Sequence, residues 1–478
     1  MQRITHEQPW PLFDTALTRQ IEHAAAAALP PHTLMQRAGL AVARLAMAIA
    51  PHARTVWIAC GPGNNGGDGF ETAMHLRQRG LDPVITWLGD EAGAPADALA
   101  SFHRARESGV TLAHEPPVRA HLVIDALLGI GATRPLQGRA AQWRDAMARA
   151  GAPVLAVDLP SGLDADTGRG AAVRATHTLS LLTLKPGLFT GGGRDAAGEV
   201  WFDDLGVQSA PASCAWLTGA PAAAQRPHDS HKGRWGDVAI LGGDQGMTGA
   251  ALLAAAAALH GGAGRVFVGL LDGSGMSVDP SQPELMFRPA AGLDLSTMHV
   301  ACGCGGGQAV AALLPRALST SASLVLDADA LNAIAADTSL AALLRARGAR
   351  VDRPTVITPH PLEAARLLGG NTQEVQADRV RAAQQLADQY GCVVVLKGSG
   401  TVVAAKGVAP RLNPTGNAKL ATAGTGDVLA GLVAARMAAG VTAFDAATAA
   451  AYDHGLTADQ WPAGEALVAS ALARRLRH

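Results

Sequence analysis

The chain has almost no net charge: 39 Lys and Arg against 40 Asp and Glu leave a formal −1 over 478 residues. Proteins that neutralise phosphate backbones or anionic bilayers carry a basic excess, so nucleic acid and membrane surfaces are not expected as partners. Cysteine is equally scarce. Five residues, Cys60, Cys214, Cys302, Cys304 and Cys392, make no disulfide framework in so long a chain, and a reducing cytoplasm suits them. Cys302 and Cys304 have no second cysteine or histidine cluster nearby in sequence, which argues for small buried residues and against zinc. No run approaches the ~18 apolar residues of a membrane span. The opening MQRITHEQPW lacks the basic segment and apolar core of an export signal. No internal repeat relates the two halves.

Glycine, by contrast, is plentiful: the 55 residues cluster in short loops after apolar runs, where a backbone without Cβ atoms approaches phosphate closely. The length predicts about two to three domains. Helices are expected over Thr15–Ala28 and Leu34–Ala50. A strand Thr55–Cys60 then leads into GPGNNGGDGF and an amphipathic stretch to Arg79. The same pattern returns with Pro83–Leu88, with His121–Asp125 before ALLGIGA, and with Pro153–Asp158 before LPSGLD. Alternating strands and helices imply an α/β fold with a parallel, Rossmann-like sheet, whose ligands bind at the carboxyl ends of the strands. Asn64, Asn65, Asp68, Asp125, Asp158 and Ser161 all fall at that edge. Each aspartate taken alone is equally well a turn or cap residue.

Residues 61–66 also satisfy the G-x-G-x-x-G dinucleotide fingerprint. Here Gly67, Asp68 and Gly69 are expected to postpone the helix, and Asp68 would sit where a pyrophosphate belongs. The loose Ala/Pro/Ser-rich stretch 211–230 suggests a boundary between domains 1–222 and 226–478. A second α/β series follows, with strands at Asp237–Leu241, Arg265–Leu271, Ser323–Asp327, Thr355–Thr358 and Cys392–Leu396. A helix is expected over 250–260, glycine-bearing loops at ACGCGGG (301–307), ITPHPLEAARLLG (357–369) and LKGSGT (396–401), and three helices at the end.

The turn TAGTGDVL, Thr422–Leu429, draws the second half together. Gly424 and Gly426 let consecutive amides converge while the helix starting near Asp427 adds its positive dipole end, which together make an anion site. Asp427 would repel an anion, so it fits better as the base for a hydroxyl attacking a phosphoryl group held by those amides. The bland alternative is a carboxylate favoured at a helix start. In the first half, Asn65, Asp125 and Ser161 form an oxygen-only set suited to a hard cation.

LMQRAG (34–39), GPGNNGGDGF (61–70), VIDALLGIG (123–131) and VDLPSGLDADTG (157–168) resemble the motifs of the NAD(P)H-hydrate epimerases over residues 10–210. The resemblance implies exchange of the R and S forms of hydrated NADH and NADPH. It also implies nucleotide contacts at Asn64, Asn65, Gly66, Gly67 and Asp68, and at Gly129, Ile130, Gly131, Ala132, Thr133, Arg134 and Pro135. Potassium would sit on Asn65, Asp125 and Ser161, and Asp158 would meet the substrate. We take Asp158 as the acid/base group, because epimerising a carbinolamine carbon needs reversible loss of its hydroxyl or ring opening.

HKGRWG (231–236), GGDQGMTGAALLAAAAAL (242–259), ITPHPLE (357–363), LKGSGT (396–401) and GNAKLATAGTGDVLAG (416–431) are similar to the ADP- or ATP-dependent NAD(P)H-hydrate dehydratases, with a ribokinase-like fold over about 226–475. That likeness implies Mg2+ with ADP or ATP. Lys397, Gly398, Ser399, Gly400, Thr401 and Gly426 would hold the donor's adenylate part, and Ala250, Gly305, Gly307, His360 and Asp427 the hydrated cofactor. Both halves together resemble the bifunctional repair family. Two departures stand out: Gly303–Gly307 lacks the family's proline and leucine, and Ala418–Leu420 replaces a proline, a glycine and a methionine, introducing Lys419. A small-molecule kinase fused to an oxidoreductase, or a nucleotide sensor without turnover, remains the alternative. ADP versus ATP, and whether the chain forms a homo-oligomer, are not legible.

Overall fold

The computed structural model describes residues 1–131, 135–208, 212–222 and 227–476. The chain divides into one unit of residues 1–5 and 10–215 and another of residues 6–9 and 216–478.

In the first unit the strands run, across the sheet, 2–3, 199–203, 177–181, 154–157, 122–126, 55–60, 82–87 and 111–113. All neighbours are parallel except the first pair. The apolar runs explain this, since Val56–Cys60 and Leu122–Ala126 are buried throughout, as parallel strands covered on both faces must be. Strand Thr55–Cys60 has Asp82–Trp87 on one side and Leu122–Ala126 on the other, so chain order reverses there and a crevice opens beyond its carboxyl end.

The expected strands lie within about two residues of their predicted places. Those at His177–Leu181 and Glu199–Asp203 were not anticipated. The helix expected to be delayed is not delayed. It spans Asn64–Gln78, with Gly63 as its cap. Close packing outweighs low propensity here: a Cβ on Gly66 would lie 2.1 Å from the Gly61 carbonyl oxygen, and one on Gly69 2.7 Å from the Cys60 sulfur.

The second unit's sheet runs 286–287, 265–270, 237–242, 299–302, 323–326, 355–357, 393–396, 402–405 and 408–412, parallel through 393–396 and antiparallel for the last two. Order reverses at Asp237–Gly242. Ala301 and Cys302, read as the start of a glycine loop, belong instead to the strand His299–Cys302. Inside the stretch read as linker, Trp216 and Leu217 pair with Arg411 and Leu412. Helix Thr425–Ala438 packs on helix Thr248–His260 so closely that a Cβ on Gly431 would stand 2.0 Å from the Ala254 carbonyl oxygen. Helices Ala443–Asp459 and Ala469–Arg475 complete the chain.

Candidate functional sites

Where the first sheet reverses, the loops after its two central strands lie against each other. A Cβ on Gly61 would meet the Leu127 carbonyl oxygen at 1.6 Å, so only glycine allows the approach. The helix beginning at Asn64 therefore points its free amides into a cavity of about 650 Å³. Asn64, Asn65, Asp68, Gly129, Ile130, Gly131 and Asp158 line it, together with Glu22 and Lys185. Gly66 and Gly67 back onto Gly61 and onto Met35 and Ala98. Pro135 is exposed and is not part of the lining. Ala132, Thr133 and Arg134 lie outside the described residues.

Asp158 adopts a positive φ of 69°, and its carboxylate forms an ion pair with the buried Lys185 ammonium. Lys185 also donates to the Leu181 carbonyl oxygen at 2.8 Å. Burial, and then the charge of Asp158, push Glu22 above its usual range and Asp68 well above it, biasing both toward the protonated form. Sequence reasoning missed Lys185 and Glu22, which come from a loop and a helix with no motif of their own.

Asp125 is fully buried at the end of its strand. Its carboxylate accepts from Ser161 Oγ at 2.6 Å, from the Ser161 amide at 2.8 Å and from the Leu127 amide at 3.3 Å. Burial outweighs these bonds and pushes its pKa up to about 6. It has no basic ion-pair partner among the described residues. A Cβ on Gly129 would be 3.3 Å from Asn65 Oδ1, so the amide oxygen stands close to the loop leading from Asp125. The Asp125 and Ser161 oxygens, at a carboxylate without a basic partner, suit a monovalent cation.

In the second unit, Asp427 lies in the first turn of its helix, behind Gly424 at φ 89°. Burial and the nearby Asp327 push its pKa up to about 7 against the hydrogen bond from Cys304 and the charge of Lys397. A sulfur of Cys304 and carboxylate oxygens of Asp327 and Asp427 lie within 4.8 Å of one another. The Cys304 thiol is pushed well above its usual value, first by burial and then by Asp427, so it stays neutral. Lys397 donates to Asp327 Oδ1 at 2.6 Å and stands 4.0 Å from Glu363. Burial opposes its charge, but those two carboxylates outweigh burial and raise its pKa. Thr358 Oγ1 donates to the same Asp327 oxygen at 2.8 Å.

Gly426 faces this cluster, since a Cβ there would be 3.4 Å from Lys397 Nζ. Ala250 and Gly305 abut: a Cβ on Gly305 would meet that of Ala250 at 2.9 Å, and one on Gly307 would meet Asp244 Oδ2 at 2.2 Å. His360 caps helix Pro361–Leu368, its Nδ1 accepting from Leu362 at 3.0 Å and Glu363 at 3.3 Å. Gly398 and Ser399 are exposed in the loop after Lys397, while Gly400 is buried and Thr401 half-buried. Lys419 donates to the Pro462 carbonyl oxygen at 2.9 Å and fastens the loop that follows helix Ala443–Asp459. Asp327, Cys304 and Glu363 lay in a strand, a loop and a motif read from the sequence but were given no role at the site, because only the crossover of strands brings them to this cluster.

The family model described as NAD(P)H-hydrate dehydratase matches residues 238–477, and that of the YjeF-related protein N-terminus matches residues 31–187. The chain is 37% identical to the bifunctional NAD(P)H-hydrate repair enzyme of Escherichia coli K12, over 90% of this chain and 85% of that protein. It is 32% identical to the enzyme of that description in Coxiella burnetii, over 94% of each. Among solved structures it is similar to the ADP/ATP-dependent NAD(P)H-hydrate dehydratase of Bacillus subtilis co-crystallised with ATP and Mg2+. That match has 30% identity and a TM-score of 0.44, and covers 52% of this chain and 90% of that one.

Proposed function

The chain belongs to the bifunctional NAD(P)H-hydrate repair enzymes, and from that membership we propose how its two sites divide the work. The first unit interconverts the R and S forms of hydrated NADH and NADPH, and the second dehydrates the S form with ADP or ATP as phosphoryl donor. A vitamin or sugar kinase fused to an oxidoreductase is set aside by the membership.

The observation that carries the dehydratase assignment is the Asp427 carboxylate, held near pKa 7 at a helix entrance beside Lys397 and Gly426. Asp427 takes the proton of the C6 hydroxyl as that oxygen bonds to the donor's terminal phosphorus and the bond to the remaining nucleotide breaks. The amides of Ala423–Gly426 would stabilise the charge that develops on the transferring group. The ring nitrogen's lone pair then expels phosphate from C6, and loss of a C5 proton restores the double bond. Lys397, Gly398, Ser399, Gly400 and Thr401 hold the donor. Mg2+ entering with the nucleotide would neutralise phosphate charge; an Asp327 oxygen suits it, whereas the neutral Cys304 thiol does not.

In the first unit, Asp158 works on the substrate with Lys185 as its fixed counter-charge, and Asn65, Asp125 and Ser161 would hold a potassium ion whose charge would offset that of Asp125. The test is Asp427→Asn in the full chain, supplied with hydrated NADPH and either nucleotide. Absorbance of NADPH and release of phosphate should slow by about 10² to 10⁴-fold, with donor affinity and epimerisation retained. Turnover within severalfold of the parent would sink the base assignment.

A further inference from the structure

Arg379 opens helix Arg379–Tyr390, is 2% exposed, and has no carboxylate in ion-pair contact among the described residues. Its Nη2 donates to the carbonyl oxygens of Leu396 at 3.2 Å and Lys397 at 3.1 Å, and Nη1 donates to Gln376 Oε1 at 2.7 Å. Nε is buried without a partner. Gly398, at φ 133°, rests on the guanidinium: a Cβ there would be 3.0 Å from both Nη atoms. Burial pushes the pKa down to about 10, which leaves the group cationic at neutral pH.

An uncompensated buried charge is costly unless an opposite charge completes it. Arg347 is the instructive contrast. It too is buried without an acid, but its Nε, Nη1 and Nη2 all find acceptors, in Thr355 and the carbonyls of Leu318 and Ser321. Arg347 is a fastening between elements. Arg379 leaves Nε unspent and lies beneath the Lys397–Thr401 loop, whose Gly398 and Ser399 are exposed.

We propose that Arg379 is a positioning residue for the phosphoryl donor: a phosphate of the ADP or ATP held on the loop supplies the missing counter-charge, while the bonds to the Leu396 and Lys397 carbonyls fix the direction of the loop's amides. The inference rests on the reading that this loop holds the donor. That reading is checked separately in the parent protein, where ADP should slow amide hydrogen exchange across residues 397–401; if it does not, the donor site lies elsewhere and the proposal falls with it.

The test of Arg379 itself uses Arg379→Met, Arg379→Lys and Arg379→Gln in the full chain, Gln retaining hydrogen-bond donors without the charge in case Met does not fold. With saturating hydrated NADPH, KM for ADP should rise about tenfold or more in the Met and Gln variants, with kcat within about threefold and KM for hydrated NADPH unchanged. Lys should recover part of the loss, and the dependence of donor KM on salt should flatten where the charge is gone. A donor KM within about twofold of the parent in Gln or Met, while ADP protects the parent loop, would overturn the proposal. So would equal losses of kcat and of affinity for both substrates, unrelieved by Lys, which would mark a purely structural fastening.

Discussion

As the proposed base, Asp427 would have to be ionised to accept a proton, and its pKa of about 7 would place that requirement inside the working range. Dehydration kcat/KM is expected to fall about tenfold per pH unit below that value and to level off above it, in a profile taken at saturating donor. A profile flat down to pH 5 would remove Asp427 as the base. Asp125 gives a second residue-scale test. Its folded pKa of about 6 exceeds the ordinary 3.8, so the native state binds its proton more tightly than the unfolded chain does, and stability falls as pH rises from about 4 through 6. A potassium ion bound to the carboxylate, as proposed, would cancel that loss. Potassium should therefore raise Tm of the first unit more at pH 7 than at pH 5, lithium less, and Asp125→Asn should abolish the difference. Equal Tm in both salts at both pH values would remove the cation from Asp125.

At the scale of elements, helix Thr425–Ala438 has to stay where it is for Asp427 to reach the cluster. Gly431→Ala puts a methyl group against the Ala254 carbonyl and should destabilise the second unit by about 1–3 kcal/mol while lowering dehydration and sparing epimerisation. The same helix is tied to the next one by His454, whose Nε2 lies 2.9 Å from the Thr425 carbonyl oxygen. Burial pushes the His454 pKa down to about 4 from 6.5, so the unfolded chain binds the proton more readily and stability is lost as pH falls through that window. His454→Gln should flatten the acid side of the stability curve between pH 6.5 and 4, read as the denaturant midpoint; an unchanged slope would mean that other groups set it.

On the scale of the whole molecule, the cut between residues 222 and 226 is expected to leave two fragments that each fold. The second unit nevertheless takes residues 6–9 from the start of the chain, where His6 Nδ1 meets the Tyr452 hydroxyl at 2.5 Å. Fragment 226–478 lacks that contact and the pairing of Trp216 and Leu217 with Arg411 and Leu412. It should unfold cooperatively at a lower Tm than the same unit in the full chain, and His6→Ala in the full chain should reproduce about 1 kcal/mol of the loss. Coincident transitions would show that neither contact matters.

The sequence by itself determined the alternation of buried strands and helices, the polar loops at the strands' carboxyl ends and the motifs that carry the family, because each is written in neighbouring residues. Strand Thr55–Cys60 and the helix behind Asp427 were legible for that reason. Local propensity misled where packing overrules it, as at Asn64–Gln78, whose glycines serve close approach and do not break the helix. The partners of the chemistry were hidden. Lys185 reaches Asp158 across 27 positions and Lys397 reaches Asp327 across 70, and no periodicity records which strand lies beside which. Only the tertiary structure brings these charges out of water and into contact, and that burial is what sets Asp125 near pKa 6 and Asp427 near 7.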